Sequence, residues 1–134
     1  IFPDGRVIAC IGPVIDLKSD HPLILGNLRN NSLEEILDKA ELNSILHAIR
    51  IWGPKKLISL IQENGLQEHL PERYIRNSVC NACYSLMSND VIVRFLKELS
   101  RDFEFRRKIG YARVYYLNET RMVELLEIQN SQNF

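Results

Sequence analysis

The sequence has no excess charge of either sign. Its 17 Lys and Arg residues balance 17 Asp and Glu. That removes the electrostatic footprint expected of a partner to nucleic acid or to an anionic membrane surface. Long apolar runs are missing too. The stretch around Pro13-Val14-Ile15 is broken by Asp16 and Lys18, far short of the ~20 residues that cross a bilayer. No internal repeat, low-complexity segment or phosphate-binding glycine loop is present. Spacing supports no Ser/His/Asp or paired-carboxylate arrangement. Cysteine is scarce, at three residues. An odd number without a secretion signal argues against a disulfide framework and for a reduced, cytoplasmic setting. The chain opens directly on Ile1-Phe2-Pro3-Asp4-Gly5, without methionine or signal-peptide pattern, which reads as a cut through a longer protein.

What remains is a chain of 134 residues, 46% hydrophobic and 25% charged, the size and composition of one globular domain. Pro3-Asp4-Gly5 is a turn signal. Arg6 to Cys10 and Leu23 to Leu25, the latter ending at Gly26, are short strands that can pair as a hairpin across an irregular loop. After Gly26 the pattern turns helical. Ser32 and Glu35 form a capping box for a helix carrying Leu33, Ile36, Leu37 and Ala40. A second helix is expected over Leu42 to Ile51, and a third starts at Pro54 and ends near Gly65. Leu66 to Ser78 is a polar connector, and Tyr84 to Met87 a single helical turn. Asp90 and Asp102 are placed to cap two further helices. Gly110 is expected to interrupt the second of these, with Tyr111 to Leu117 ambiguous between strand and helix. A last helix carries Met122, Leu125, Leu126 and Ile128, and Asn130 to Phe134 is a polar tail. The expected fold is α+β, mostly helical, with a small N-terminal β-hairpin.

The strongest chemical signal is Cys80-Asn81-Ala82-Cys83. Two thiols at this spacing can reach one metal or cluster, and the same spacing suits a redox dithiol. Cys10, beside a Gly-Pro loop, is a candidate third ligand. A structural zinc site wants a fourth, for which His21 and His69 are available. The lesser alternative is that all three cysteines serve as small buried hydrophobes. Elsewhere ordinary structural roles are favoured. Trp52 and His47 fit packing, and Arg101, Arg106, Arg107 and Lys108 fit a solvated helix face neutralised by Asp102 and Glu104. Tyr111, Tyr115 and Tyr116 fit packing better than a contact patch.

Several of these residues together resemble a known family. Pro3-Asp4-Gly5-Arg6-Val7-Ile8-Ala9-Cys10, Leu25-Gly26-Asn27-Leu28 and Ser32-Leu33-Glu34-Glu35-Ile36-Leu37 are similar to the opening, hairpin exit and first helix of SPASM and twitch domains. These are the C-terminal extensions of radical S-adenosylmethionine (radical SAM) enzymes. Arg50-Ile51-Trp52-Gly53-Pro54 and the Cys80/Cys83 pair look like a bacterial subgroup. The resemblance covers about residues 3–87, leaving 88–134 as a C-terminal helical extension of the same domain.

The resemblance implies an accessory domain whose Cys10, Cys80 and Cys83 ligate an auxiliary [4Fe-4S] cluster that orients substrate or relays electrons. Its partners would be a radical SAM catalytic barrel in the parent chain and a peptide or small-molecule substrate, with no nucleic acid and no membrane. S-adenosylmethionine would bind in that catalytic domain alone, because the Cys-x-x-x-Cys-x-x-Cys triplet does not occur in this chain. A complete SPASM domain would also carry cysteines where Asn31, Asn89 and Val93 stand. Two full clusters are therefore excluded. One cluster with three protein ligands, or a cluster-free docking module on the same scaffold, remains.

Overall fold

A computed structural model describes residues 1–18, 20–75 and 78–132 of the chain, and side chains up to residue 127. Two strands, β1 (Arg6–Ile8) and β2 (Ile24–Asn27), form an antiparallel hairpin. Seven α-helices follow among the described residues: α1 (Leu33–Glu41), α2 (Ser44–Trp52), α3 (Pro54–Glu63), α4 (Val79–Met87), α5 (Asp90–Leu99), α6 (Phe103–Leu117) and α7 (Arg121–Gln132). The expected fold class is the one observed. No helix among the described residues is long and apolar enough to cross a membrane.

The hairpin is set up by its first turn. Gly5 adopts φ +86°, and Asp4 accepts a hydrogen bond from the Arg6 amide while pairing with its guanidinium at 2.7 Å. The pairing is shorter and later than expected. β1 stops at Ile8, and β2 runs on through Asn27, with an irregular register between Val7 and Ile8. Cys10 therefore lies beyond the strand. The connecting loop contains a short 3-10 turn, Pro13–Asp16. It is tied down at both ends: Arg6 donates to the Leu17 carbonyl at 3.1 Å, and Asp20 pairs with Lys97 of α5 at 2.6 Å.

Helix starts follow local capping chemistry closely. The Ser32/Glu35 capping box is formed, and Asn43 and Asp102 cap α2 and α6 through their side chains. Two expected boundaries are corrected. Asn89, not Asp90, caps α5, because its Oδ1 reaches the amides of Val91 and Ile92. The helix holding the cysteine pair begins at Val79, so the pair sits in its first turns rather than in a separate tight turn.

Gly110 does not interrupt α6, and Tyr111 to Leu117 continue it as helix. A side chain at Gly110 would strike Leu126 of α7 at 2.7 Å, so glycine here permits close helix packing. α7 extends to Gln132, past the expected start of the tail. Asn133 and Phe134 lie outside the described residues, as do the side chain of Ile128 and the connector positions Arg76 and Asn77.

One core joins the loop to helices α2 to α6. Val14 of the loop, Ile45 of α2, Leu57 of α3, Leu86 of α4, Ile92 of α5 and Ile109 of α6 belong to a single buried cluster. Cys83 is part of it, and Cys10 packs against it.

Candidate metal centre

Three elements bring the cysteines to one place. Cys10 follows β1, where the Ala9 amide still bonds the Leu23 carbonyl at 2.9 Å. The chain then turns back at Gly12, whose amide donates to Cys10 Sγ at 3.2 Å. The Pro13–Asp16 turn packs on α4. Cys80 and Cys83 stand at positions i and i+3 of α4, which places both on one helix face. That helix start is firmly made: Ser78 Oγ accepts from the Asn81 amide at 3.1 Å, and Asn81 Oδ1 accepts from the Ile75 amide at 2.9 Å. Asn81, between the two cysteines, thus clamps the incoming chain. Nothing in the sequence pattern singled it out.

Two of the three sulfurs, those of Cys10 and Cys80, meet beside Gly12. A Cβ built on Gly12 would lie 3.3 Å from Cys10 Sγ and 3.4 Å from Cys80 Sγ. Cys80 is exposed, Cys10 half-buried and Cys83 buried. Burial pushes the Cys83 thiol up to about 11, and the neighbouring Cys10 and Cys80 thiols push it in the same direction. Among the described residues, no three His, Cys, Asp or Glu side chains close around the position of a single metal ion.

Neither histidine joins the thiols. His21 is 1% exposed, and its Nδ1 accepts from the Leu23 amide at 3.3 Å. The proton of the neutral ring therefore sits on Nε2, which has no hydrogen-bond partner and no free lone pair for a metal. His69 is a part-exposed neighbour of Glu68 at 3.4 Å. Both were available from the sequence as a fourth ligand; neither belongs to a group of three metal-ligating side chains among the described residues.

The positions where a full family pattern would place further cysteines serve other ends. Asn89 caps α5 and donates to the His69 carbonyl at 3.2 Å. Val93 is buried in α5. Asn31 donates to Glu35 of the capping box at 3.5 Å.

Other candidates resolve as follows. His47 is buried, and its Nδ1 faces the Arg50 guanidinium at 2.7 Å. Arg113 is buried too, paired with Glu41 and with Glu119, a network that sequence spacing did not reveal. Trp52 packs against the core and, with Leu60, Leu99 and Phe105, lines a groove of about 270 Å³. Tyr111, Tyr115 and Tyr116 are exposed on α6 rather than packed, and the rings of the last two meet edge to face at 4.9 Å.

A family profile described as SPASM, iron-sulfur cluster-binding domain, matches residues 1–84. This chain belongs to the SPASM family. A further likeness is to YydG of Bacillus subtilis (strain 168), provisionally described as a peptide biosynthesis protein. The two are 28% identical over 86 residues, which is 64% of this chain and 26% of that protein. The chain thus spans about a quarter of that relative's length. No solved structure matches it. As a SPASM domain, this chain is an iron-sulfur cluster-binding domain. Its residues suit such a group on two counts. The Cys10 and Cys80 thiols both act on Cys83, and a Cβ at position 12 would crowd the Cys10 and Cys80 sulfurs, which glycine avoids.

Proposed function

We propose that this chain is the accessory domain of a cytoplasmic radical SAM protein, in which Cys10, Cys80 and Cys83 hold one auxiliary [4Fe-4S] cluster. The observation that carries this reading is the meeting of the Cys10 and Cys80 sulfurs beside Gly12, with Cys83 one turn further along α4. Three thiols, with no histidine grouped with them among the described residues, suit a cluster better than a zinc ion, which takes four protein ligands at a structural site.

A cluster held by three thiolates supplies an electron relay, or an iron open to a ligand from outside the protein. The chain's own residues do the holding. The Gly12 amide donates to Cys10 Sγ, and Asn81 fixes the start of the helix that carries the other two thiols. The catalytic step belongs to a radical SAM barrel elsewhere in the parent protein, since the Cys-x-x-x-Cys-x-x-Cys triplet is not found here. The peptide-biosynthesis description of the Bacillus relative favours a peptide as the substrate. Residues 1–87 form the cysteine-bearing region and 88–134 a helical extension.

The test is anaerobic reconstitution with ferrous iron and sulfide. Wild type gains the broad visible charge-transfer absorbance of an iron-sulfur cluster, with about four irons per chain. Cys10→Ala, Cys80→Ala and Cys83→Ala each lose most of it. A wild-type chain that stays colourless sinks the cluster.

A docking role on the same scaffold is favoured by a separate observation. Tyr115 is 81% exposed and Tyr116 63%, and exposed tyrosines are enriched where proteins meet. Loss of barrel binding in the Tyr115→Ala/Tyr116→Ala double variant is the result expected if α6 is that contact.

A further inference from the structure

We propose that Gly12 is a positioning residue of the metal centre, a glycine because the space beside it belongs to the cluster. This inference rests on the cluster reading above. Its starting point is that the glycine is not needed by the backbone. Gly12 has φ −79° and ψ −169°, an extended conformation that any L residue adopts. It stands where the loop packs on α4, yet what crowds it there is cysteine side chain rather than backbone. The atoms that a side chain there would meet are Cys10 Sγ at 3.3 Å, Cys80 Sγ at 3.4 Å and Cys80 Cβ at 3.7 Å. The position is therefore bounded by the two accessible thiols.

The consequence differs between the metal-free and loaded forms. Without metal, Cys80 is exposed and Cys10 half-buried, so each thiol can turn by the few tenths of an ångström that a methyl group requires. With a cluster bound, metal–sulfur bonds of roughly 2.3 Å pin both sulfurs, and the irons and sulfides take the volume next to them. A methyl group at position 12 then competes with the cluster rather than with the fold. Alanine keeps the amide that donates to Cys10 Sγ at 3.2 Å, so Gly12→Ala isolates the space from the hydrogen bond.

The experiment compares wild type, Gly12→Ala, Cys80→Ala and Ile11→Ala. Ile11 is the neighbouring residue and is 98% exposed. Each is titrated anaerobically with ferrous iron and sulfide. Bound iron, acid-labile sulfide and visible absorbance are read, and thermal melting of the metal-free chain is followed by circular dichroism.

The expected result is that wild type and Ile11→Ala load alike. Gly12→Ala loads about tenfold more weakly, in the range found when groups around metal ligands are altered, and its metal-free form melts with wild type. Gly12→Ala loading like wild type while Cys80→Ala stays empty overturns the Gly12 assignment and leaves the cluster reading intact. A metal-free Gly12→Ala that melts well below wild type, and loads poorly for that reason, makes Gly12 a folding residue and also overturns it. A wild type that takes up no iron fails the cluster reading itself, and the Gly12 assignment falls with it.

Discussion

Cys10 and Cys80, seventy positions apart in the chain, place their sulfurs 3.3 and 3.4 Å from the same point beside Gly12. Cys83, the third thiol of the group, is buried and held protonated, with its titration pushed up to about 11. The thiolate is the reactive form. In the metal-free chain at pH 8, iodoacetamide is therefore expected to label Cys80 first and Cys10 more slowly, leaving Cys83 unmodified. Peptide mass spectrometry over a time course reads this directly. Labelling of Cys83 at the rate of Cys80 would contradict the burial described.

Gly26 of β2 meets Ile36 of α1 so closely that a Cβ there would sit 2.8 Å from Ile36 Cγ1. Ile36 is fully buried and has no room to retreat. Gly26→Ala is expected to cost about 1–3 kcal/mol, the usual range for overpacking. A urea titration measures it. An unchanged midpoint would show that the hairpin and α1 do not press together.

Arg113 ties the last helices to the first. Its side chain is 4% exposed and pairs with Glu41 at the end of α1 and with Glu119 in the turn before α7; it also donates to the Glu41 carbonyl at 2.7 Å. Arg113→Ala leaves Glu119 and a backbone carbonyl short of partners, so a loss of about 2–4 kcal/mol is expected. Glu104→Ala, whose partner Arg107 is on the surface, should cost less than ~0.5 kcal/mol. Equal effects of the two variants would refute the distinction.

Two buried histidines make the fold acid-sensitive. Burial lowers the proton affinity of both His21 and His47, and for His47 the Arg113 and Arg50 charges lower it further. In the unfolded chain each titrates near its ordinary value of 6.5. The unfolded state therefore binds protons first as the pH falls, so the stability these groups contribute is present above pH 6.5 and lost below it. Each group contributes up to about 1.4 kcal/mol of this loss per pH unit. The urea midpoint should fall between pH 7.5 and pH 5.5, and fall less in His47→Gln. A midpoint insensitive to pH in that range would rule the mechanism out.

Much of this fold was legible from residues a few positions apart. Ser32 with Glu35, Asn27 after Gly26, Pro54 after Gly53 and Asp102 before Phe103 report on contacts within one turn, and short-range rules read such contacts well. The same rules failed where distant chain intervened. Gly110 reads locally as a helix break, because nothing nearby shows that Leu126 needs its space. Tyr115 and Tyr116 read as packing residues, yet no element among the described residues covers them. The cysteine pair read as a tight turn because the cap that starts its helix, Ser78, lies at the edge of a polar connector.

By itself the sequence determined the class of the fold, the hairpin and most helix starts, together with the three thiols and the family that they mark. Those features depend on local hydrogen bonding and on residue identity, which are written along the chain. Only the tertiary structure decided that Cys10 reaches Cys80 across seventy positions, that His21 is buried with its Nδ1 taken by the Leu23 amide and that Gly12 faces two sulfurs. Those depend on how the loop packs on α4, a relation between elements that no spacing encodes.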